Sequence, residues 1–163
     1  MLAPAALIII DMQHCMGLPE AGARNNPQAE TNMLALLAAW RAAEAPVMHV
    51  RHISTDPASL FWPGQPGAAF QAAFMPLPGE AVMEKNVPDA FARSGLERWL
   101  LVRNLQRLVI VGVSTSNSVE ATARSAGCLG FAAHVVEDAC FTFAKRDRNG
   151  TLRSAEEVHA MSL

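Results

Sequence analysis

Apolar residues in this chain gather in short unbroken runs. Residues 6–10 (ALIII), 47–50 (VMHV) and 108–111 (LVIV) are the clearest, 132–136 (AAHVV) is less pure, and 81–83 (AVM) is a short fifth. Runs rich in β-formers and lacking polar alternation mark strands covered on both faces. Helical spacing lies between them. Met33, Leu36, Leu37 and Trp40 line one face and predict a helix over 32–44 that stops before Pro46. Ser94 and Glu97 have the spacing of a capping box for a helix over 95–101. Asn117 or Ser118 opens a helix over 119–126, which ends near Gly127 and Gly130. A last helical stretch covers 154–161. Strands alternating with helices predict an α/β fold: a doubly wound, mostly parallel sheet of five or six strands flanked by helices, a Rossmann-like three-layer sandwich.

Residues 54–79 break this rhythm with several prolines and glycines and with Phe61, Trp62, Phe70 and Phe74. A loop of that length inside a compact domain is functional or mobile. Its aromatics could form a lid over a pocket or pin the loop to the core, and the sequence leaves both readings open.

A length of 163 residues suits one domain spanning 1–163 with one sizeable core. With 51% apolar and 17% charged residues, the chain is not a disordered one. A net charge of −2 and the lack of any basic run give no electrostatic footprint for nucleic acid. No apolar stretch approaches the roughly 20 residues of a membrane span. The N-terminus has no basic segment before its apolar run, so it reads as a strand rather than a secretory leader. The cysteines, Cys15, Cys128 and Cys140, are odd in number and form no C-x-x-C pair. That argues against a disulfide framework or a structural zinc site and suits the cytoplasm. No metal and no cofactor are expected. The low charge and high apolar content point to a buried oligomer face and so to a homo-oligomer.

In an open parallel sheet, ligands bind outside the carboxyl ends of the strands. The polar residues that follow each predicted strand are therefore the candidates. They are Asp11 and Gln13 after the first, Arg51 and His52 after the second, and Lys85 after the third. The hydroxyl-rich turn 112–118 follows the fourth, and Asp138 the fifth. A carboxylate at the end of a buried strand is partly desolvated and needs a cation, for which Lys85 is available. The turn before the 119–126 helix aims backbone N–H groups at a helix start, where an anion or developing oxyanion can sit. Ser118 there could be a nucleophile, a donor or an N-cap. Cys15 and Cys140 are alternative thiols, and His49 reads as a core histidine.

In order along the chain, LIIID-M-Q at Asp11, E-K at Lys85, VGVSTSNSVEATAR through Ser118 to Arg124, and V-V-E-D at Asp138 resemble the isochorismatase-like (cysteine) hydrolase superfamily over nearly the whole chain. The resemblance implies a six-stranded parallel sheet. Asp11 would be the acid/base, Lys85 its electrostatic partner, and Ser118 would stand where relatives carry the nucleophilic cysteine. It also implies a non-proline cis peptide at Val113–Ser114 and an oxyanion hole from the N–H groups of Ser114 and Ser118. Gln13, Arg51, His52, Phe61, Trp62 and Asn117 are the substrate-binding candidates, with Arg51 and Arg124 as possible anchors for an acidic substrate. The activity implied by the resemblance is hydrolysis of an amide C–N or vinyl ether bond in a small-molecule substrate. The alternative is a catalytically impaired member retained to bind a small molecule or a protein. Two departures stand out. A serine hydroxyl is far harder to ionise than a thiol and normally needs a histidine. The chain also ends where relatives continue through a final strand, so either a C-terminally shortened form or a sheet lacking its last strand is expected. The metal-binding Asp/His pattern of nicotinamidases is absent after the second strand.

Overall fold

The computed structural model describes residues 5–163. The first predicted strand lies inside that range, while the residues before it fall outside. Five parallel strands form the sheet: β1 (Ala5–Ile10), β2 (Val47–His52), β3 (Ala81–Lys85), β4 (Arg107–Val113) and β5 (Ala132–Phe141), in the order β3-β2-β1-β4-β5. The central β1 is buried on both faces, which is why its sequence shows no alternation. Ile8 and Ile10 point with Met48, Val50 and Ile110 into one core. That core is closed by α2 (Leu96–Leu101) and α3 (Glu120–Cys128). Leu7 and Ile9 point with Val47 and Val111 the other way, onto Met33 and Leu37 of α1 (Ala29–Ala42). α4 (Ala155–Ser162) follows a small hairpin of β6 (Lys145–Arg146) and β7 (Leu152–Arg153).

β1 and β4 approach each other closely where Ile10 pairs with Gly112. Gly112 has φ +125, and a Cβ on it would lie 2.2 Å from the carbonyl oxygen of Ile10. Only glycine fits there. This contact sets the level at which the two central strands release their chains toward the site.

Three local expectations are corrected. α1 starts at Ala29, a turn earlier than the apolar stripe suggests. Ser94 does not cap α2: its hydroxyl donates to the Ala90 carbonyl and accepts from the Leu96 N–H, while Gly95 takes the N-cap position. A capping box does form at α4, between Ser154 and Glu157. β5 runs five residues past its predicted end, because a register shift opposite Val111 lets it resume pairing at Gly112–Cys140. Asp138 lies in that irregular stretch, exposed and away from the strand ends, and its carbonyl accepts from the Asn32 side chain.

Residues 53–80 are not an open loop. They contain short 3₁₀ turns at Pro66–Ala68 and Ala72–Phe74, and Phe70 bridges to Gln13. Phe70 and Phe74 are buried, so these two aromatics pin the segment to the body of the protein. Among the described residues, no helix is long and apolar enough to cross a membrane.

Candidate active site

β1 hands the chain to Asp11, whose backbone turns into a left-handed conformation (φ 53) while its N–H still donates to the Val50 carbonyl. The carboxyl group therefore stands at the carboxyl end of the sheet, almost wholly buried. Lys85 is the last residue of β3, two strands away from β1, and its long side chain spans the end of β2 to meet it. The ammonium donates to Asp11 Oδ2 at 2.7 Å and to Ser118 Oγ at 3.2 Å. Asp11 Oδ1 is buried with no hydrogen-bond partner among the described residues. Burial raises the pKa of Asp11 above the ordinary carboxylate range. The opposing pull of Lys85, and the smaller ones of the Ser118 hydroxyl and His52, do not offset it.

Ser118 is delivered by the other central strand. β4 ends at Val113, the Val113–Ser114 peptide is cis, and a single π-helical turn, Thr115–Val119, leads into α3. The Ser114 carbonyl accepts from the N–H groups of Asn117 and Val119. A hydroxyl network pins the turn from behind. Thr142 donates to the Ser114 hydroxyl at 3.4 Å and shares a bond with Ser116 at 2.9 Å, and Lys145 donates to Ser116 at 2.6 Å. Thr115 pairs with the His159 ring of α4 at 2.8 Å. Sequence reasoning did not find this support, whose members come from three separate elements.

Asp11, Ser118 and Asn117 open onto a cavity of about 130 Å³. His52 and Phe61 form another wall, edge to face with ring centroids 5.1 Å apart. Met16 and Pro88 complete the lining, neither of them expected from the sequence. Burial, and secondarily the charge of Lys85, lower the His52 pKa, so this ring is neutral at pH 7.

The isochorismatase domain family matches residues 5–162. The chain belongs to the isochorismatase family. It is 35% identical over 158 residues to the uncharacterized isochorismatase family protein YrdC of Bacillus subtilis, covering 97% of this chain and 84% of that protein. A crystal structure assigned to the isochorismatase family, from Chromobacterium violaceum, superposes with a TM-score of 0.95 at 51% identity. That alignment covers 100% of this chain and 88% of the other. Streptothricin hydrolase of Streptomyces noursei is 32% identical over 141 residues, 85% of this chain and 50% of that longer protein.

On this isochorismatase scaffold the remaining candidates take other places. Gln13 is fully buried, and its amide is spent on the main chain: Nε2 donates to the carbonyls of His52 and Ala68, and Oε1 accepts from the His52 N–H. It fastens the end of β2 to the 53–80 segment and does not line the Asp11 cavity. Trp62 does not line it either. Arg51 pairs with Glu84, its register partner on β3, and lies against the Phe70 ring outside the cavity. Arg124 pairs with Glu120 on the outer surface of α3. Burial pushes the thiol of Cys15 up to about 11 and that of Cys140 up to about 12, so neither offers a thiolate. His49 is buried at Glu80 and Phe70, away from the cavity. Among the described residues, no group of three His, Cys, Asp or Glu side chains is placed to hold a metal ion.

Proposed function

We propose that this isochorismatase-family chain hydrolyses a small molecule in the Asp11 cavity. Asp11 acts as acid/base, Lys85 as its electrostatic partner, and Ser118, in the position given to cysteine by the family resemblance, as a hydrogen-bond donor to the substrate. The observation that carries the reading is the buried bridge in which one ammonium holds both the Asp11 carboxyl and the Ser118 hydroxyl. An acid with a raised pKa keeps its proton to higher pH than a free carboxyl and can give it to a leaving group. In this scheme Asp11 protonates the leaving heteroatom as its bond to carbon breaks. Water adds its oxygen to that carbon and returns a proton to the Asp11 carboxylate, so the sum is substrate plus water giving two products. The family resemblance implies an amide C–N or a vinyl ether bond as the one broken.

Ser118 as a covalent nucleophile is the less favoured reading. Its oxygen already accepts from Lys85, which lowers its basicity, and among the described residues no histidine hydrogen-bonds to it. The backbone turn at Val113–Ser114 and the N–H of Ser118 remain the proposed oxyanion site.

The test is turnover of a panel of small amides and vinyl ethers by the parent protein, Asp11→Asn and Ser118→Ala. Asp11→Asn is expected to lower kcat by about 10²–10⁴-fold. Ser118→Ala should act chiefly on KM, with no covalent adduct in mass spectra. A trapped acyl-enzyme on Ser118 would overturn the non-covalent scheme. Ligand binding without turnover anywhere in the panel would favour a binding module.

A further inference from the structure

We infer that Arg93 forms an anion subsite next to the Asp11 cavity and that the substrate carries a carboxylate which this arginine holds. The inference rests on the proposed hydrolysis at Asp11 and names the substrate class for it.

The first argument is size. A cavity of about 130 Å³ admits the reacting group of a small molecule but little more, since ligand sites are usually about 300–1,000 Å³. The rest of the substrate must lie in adjoining space. A second cavity of about 280 Å³ opens at the same strand ends. His52, the last residue of β2, lines the first cavity, and Ile53, the next in sequence, lines the second. Lys85, whose fully buried side chain holds Asp11 and Ser118 of the first cavity, borders the second through its main chain.

The second argument is charge. Arg93 lines this second cavity and, among the described residues, has no ion-pair or hydrogen-bond partner. The arginines at other cavities are already engaged. Arg51 is paired with Glu84, Arg124 with Glu120, and Arg103 donates to the Trp99 carbonyl and covers the Trp99 ring. Glu84 also lines the second cavity, but its carboxylate is neutralised by Arg51 from the neighbouring strand. Thr55 and Asn86 supply neutral donors beside Arg93.

The third argument is preorganisation. Arg93 sits in a left-handed backbone conformation (φ 55) within a turn tied down on both sides. Before it, the Ala90 N–H donates to Thr122 of α3 and the Phe91 N–H donates to Asp89. After it, the Ser94 hydroxyl donates back to Ala90. A free guanidinium on a fixed turn is suited to two parallel hydrogen bonds to a carboxylate.

The experiment titrates the ¹⁵N-labelled full chain with the half-amides of malonic to adipic acid and with their neutral diamides, following the Arg93 Nε–H resonance. At least one half-amide should bind at least about tenfold tighter than its diamide, the range of one hydrogen bond to a charged group, and should shift that resonance. Arg93→Asn is the informative variant, because asparagine tolerates positive φ. In it the preference should fall to near one, and in Arg93→Lys part of it should return. Equal or undetectable binding of both series by the parent, or a preference that survives Arg93→Asn, overturns the subsite. Inorganic phosphate binding more tightly than every half-amide overturns the carboxylate assignment. Binding is read without turnover. A retained carboxylate preference in a protein whose Asp11→Asn variant still turns over would thus sink the hydrolytic scheme and leave the subsite standing.

Discussion

Asp11 and Lys85 meet in a place where neither would be stable alone. The folded state binds the Asp11 proton more tightly than the unfolded chain does, because burial raises its pKa. Between the unfolded and folded values the native state therefore carries more protons, and stability falls as pH rises through that window. Under the proposed mechanism the same direction sets the pH dependence of turnover. If the protonated carboxyl is the working form, kcat/KM declines as pH passes the raised Asp11 pKa, whereas a group working only as a base would give the opposite limb. Lys85→Met removes the strongest pull toward ionisation. Its pH–rate limb should shift to higher pH, and its unfolding free energy should drop by about 3 kcal/mol where Asp11 is ionised and by less toward acid pH, since a protonated Asp11 tolerates burial without its cation. Denaturant melts across a pH series check this. The thiols give a separate expectation. Cys128 is exposed, while Cys15 and Cys140 are buried with raised pKa values. One thiol per native chain should react quickly with a disulfide reagent at pH 8, and all three should react after denaturation.

At the scale of elements, the strand framework was legible because burial on both faces leaves a plain signature in composition. β1, β2 and β4 are the unbroken apolar runs. β5 was half legible: Glu137 and Asp138 interrupt its apolar run where its register shifts, and the pairing resumes only through tertiary contact. That Asp11, Lys85 and Ser118 lie at or just beyond the carboxyl ends of their strands could be read, because strand ends in a parallel sheet are the natural place for chemistry. The cavity walls could not. Met16 and Pro88 arrive there by the return paths of loops, and whether an arginine is free depends on strand register. Arg51 is paired with Glu84 across one ladder, while Arg93 has no ion-pair partner among the described residues. The β1–β4 contact yields its own prediction. Gly112→Ala would force a methyl group to 2.2 Å from the Ile10 oxygen. The two strands must then part, at a cost of about 4 kcal/mol or more, read as lost soluble yield or a lowered denaturation midpoint.

Over the whole molecule, the groups proposed to react are held at strand ends fixed by the sheet, while the segment between β2 and β3 supplies part of the cavity walls beside them. Residues 54–79 contribute Phe61 to one cavity, with Ser54 and Thr55 on the rim of the other, and none of the three groups in the ammonium bridge. This segment thus shapes part of both cavities without supplying any of the three bridged groups. Exchanging 54–79 for the equivalent stretch of another isochorismatase-family member should redraw the substrate range in a competition assay while leaving the pH profile where Asp11 sets it. A fold divided in this way can acquire new substrates by loop replacement without having to reinvent its chemistry.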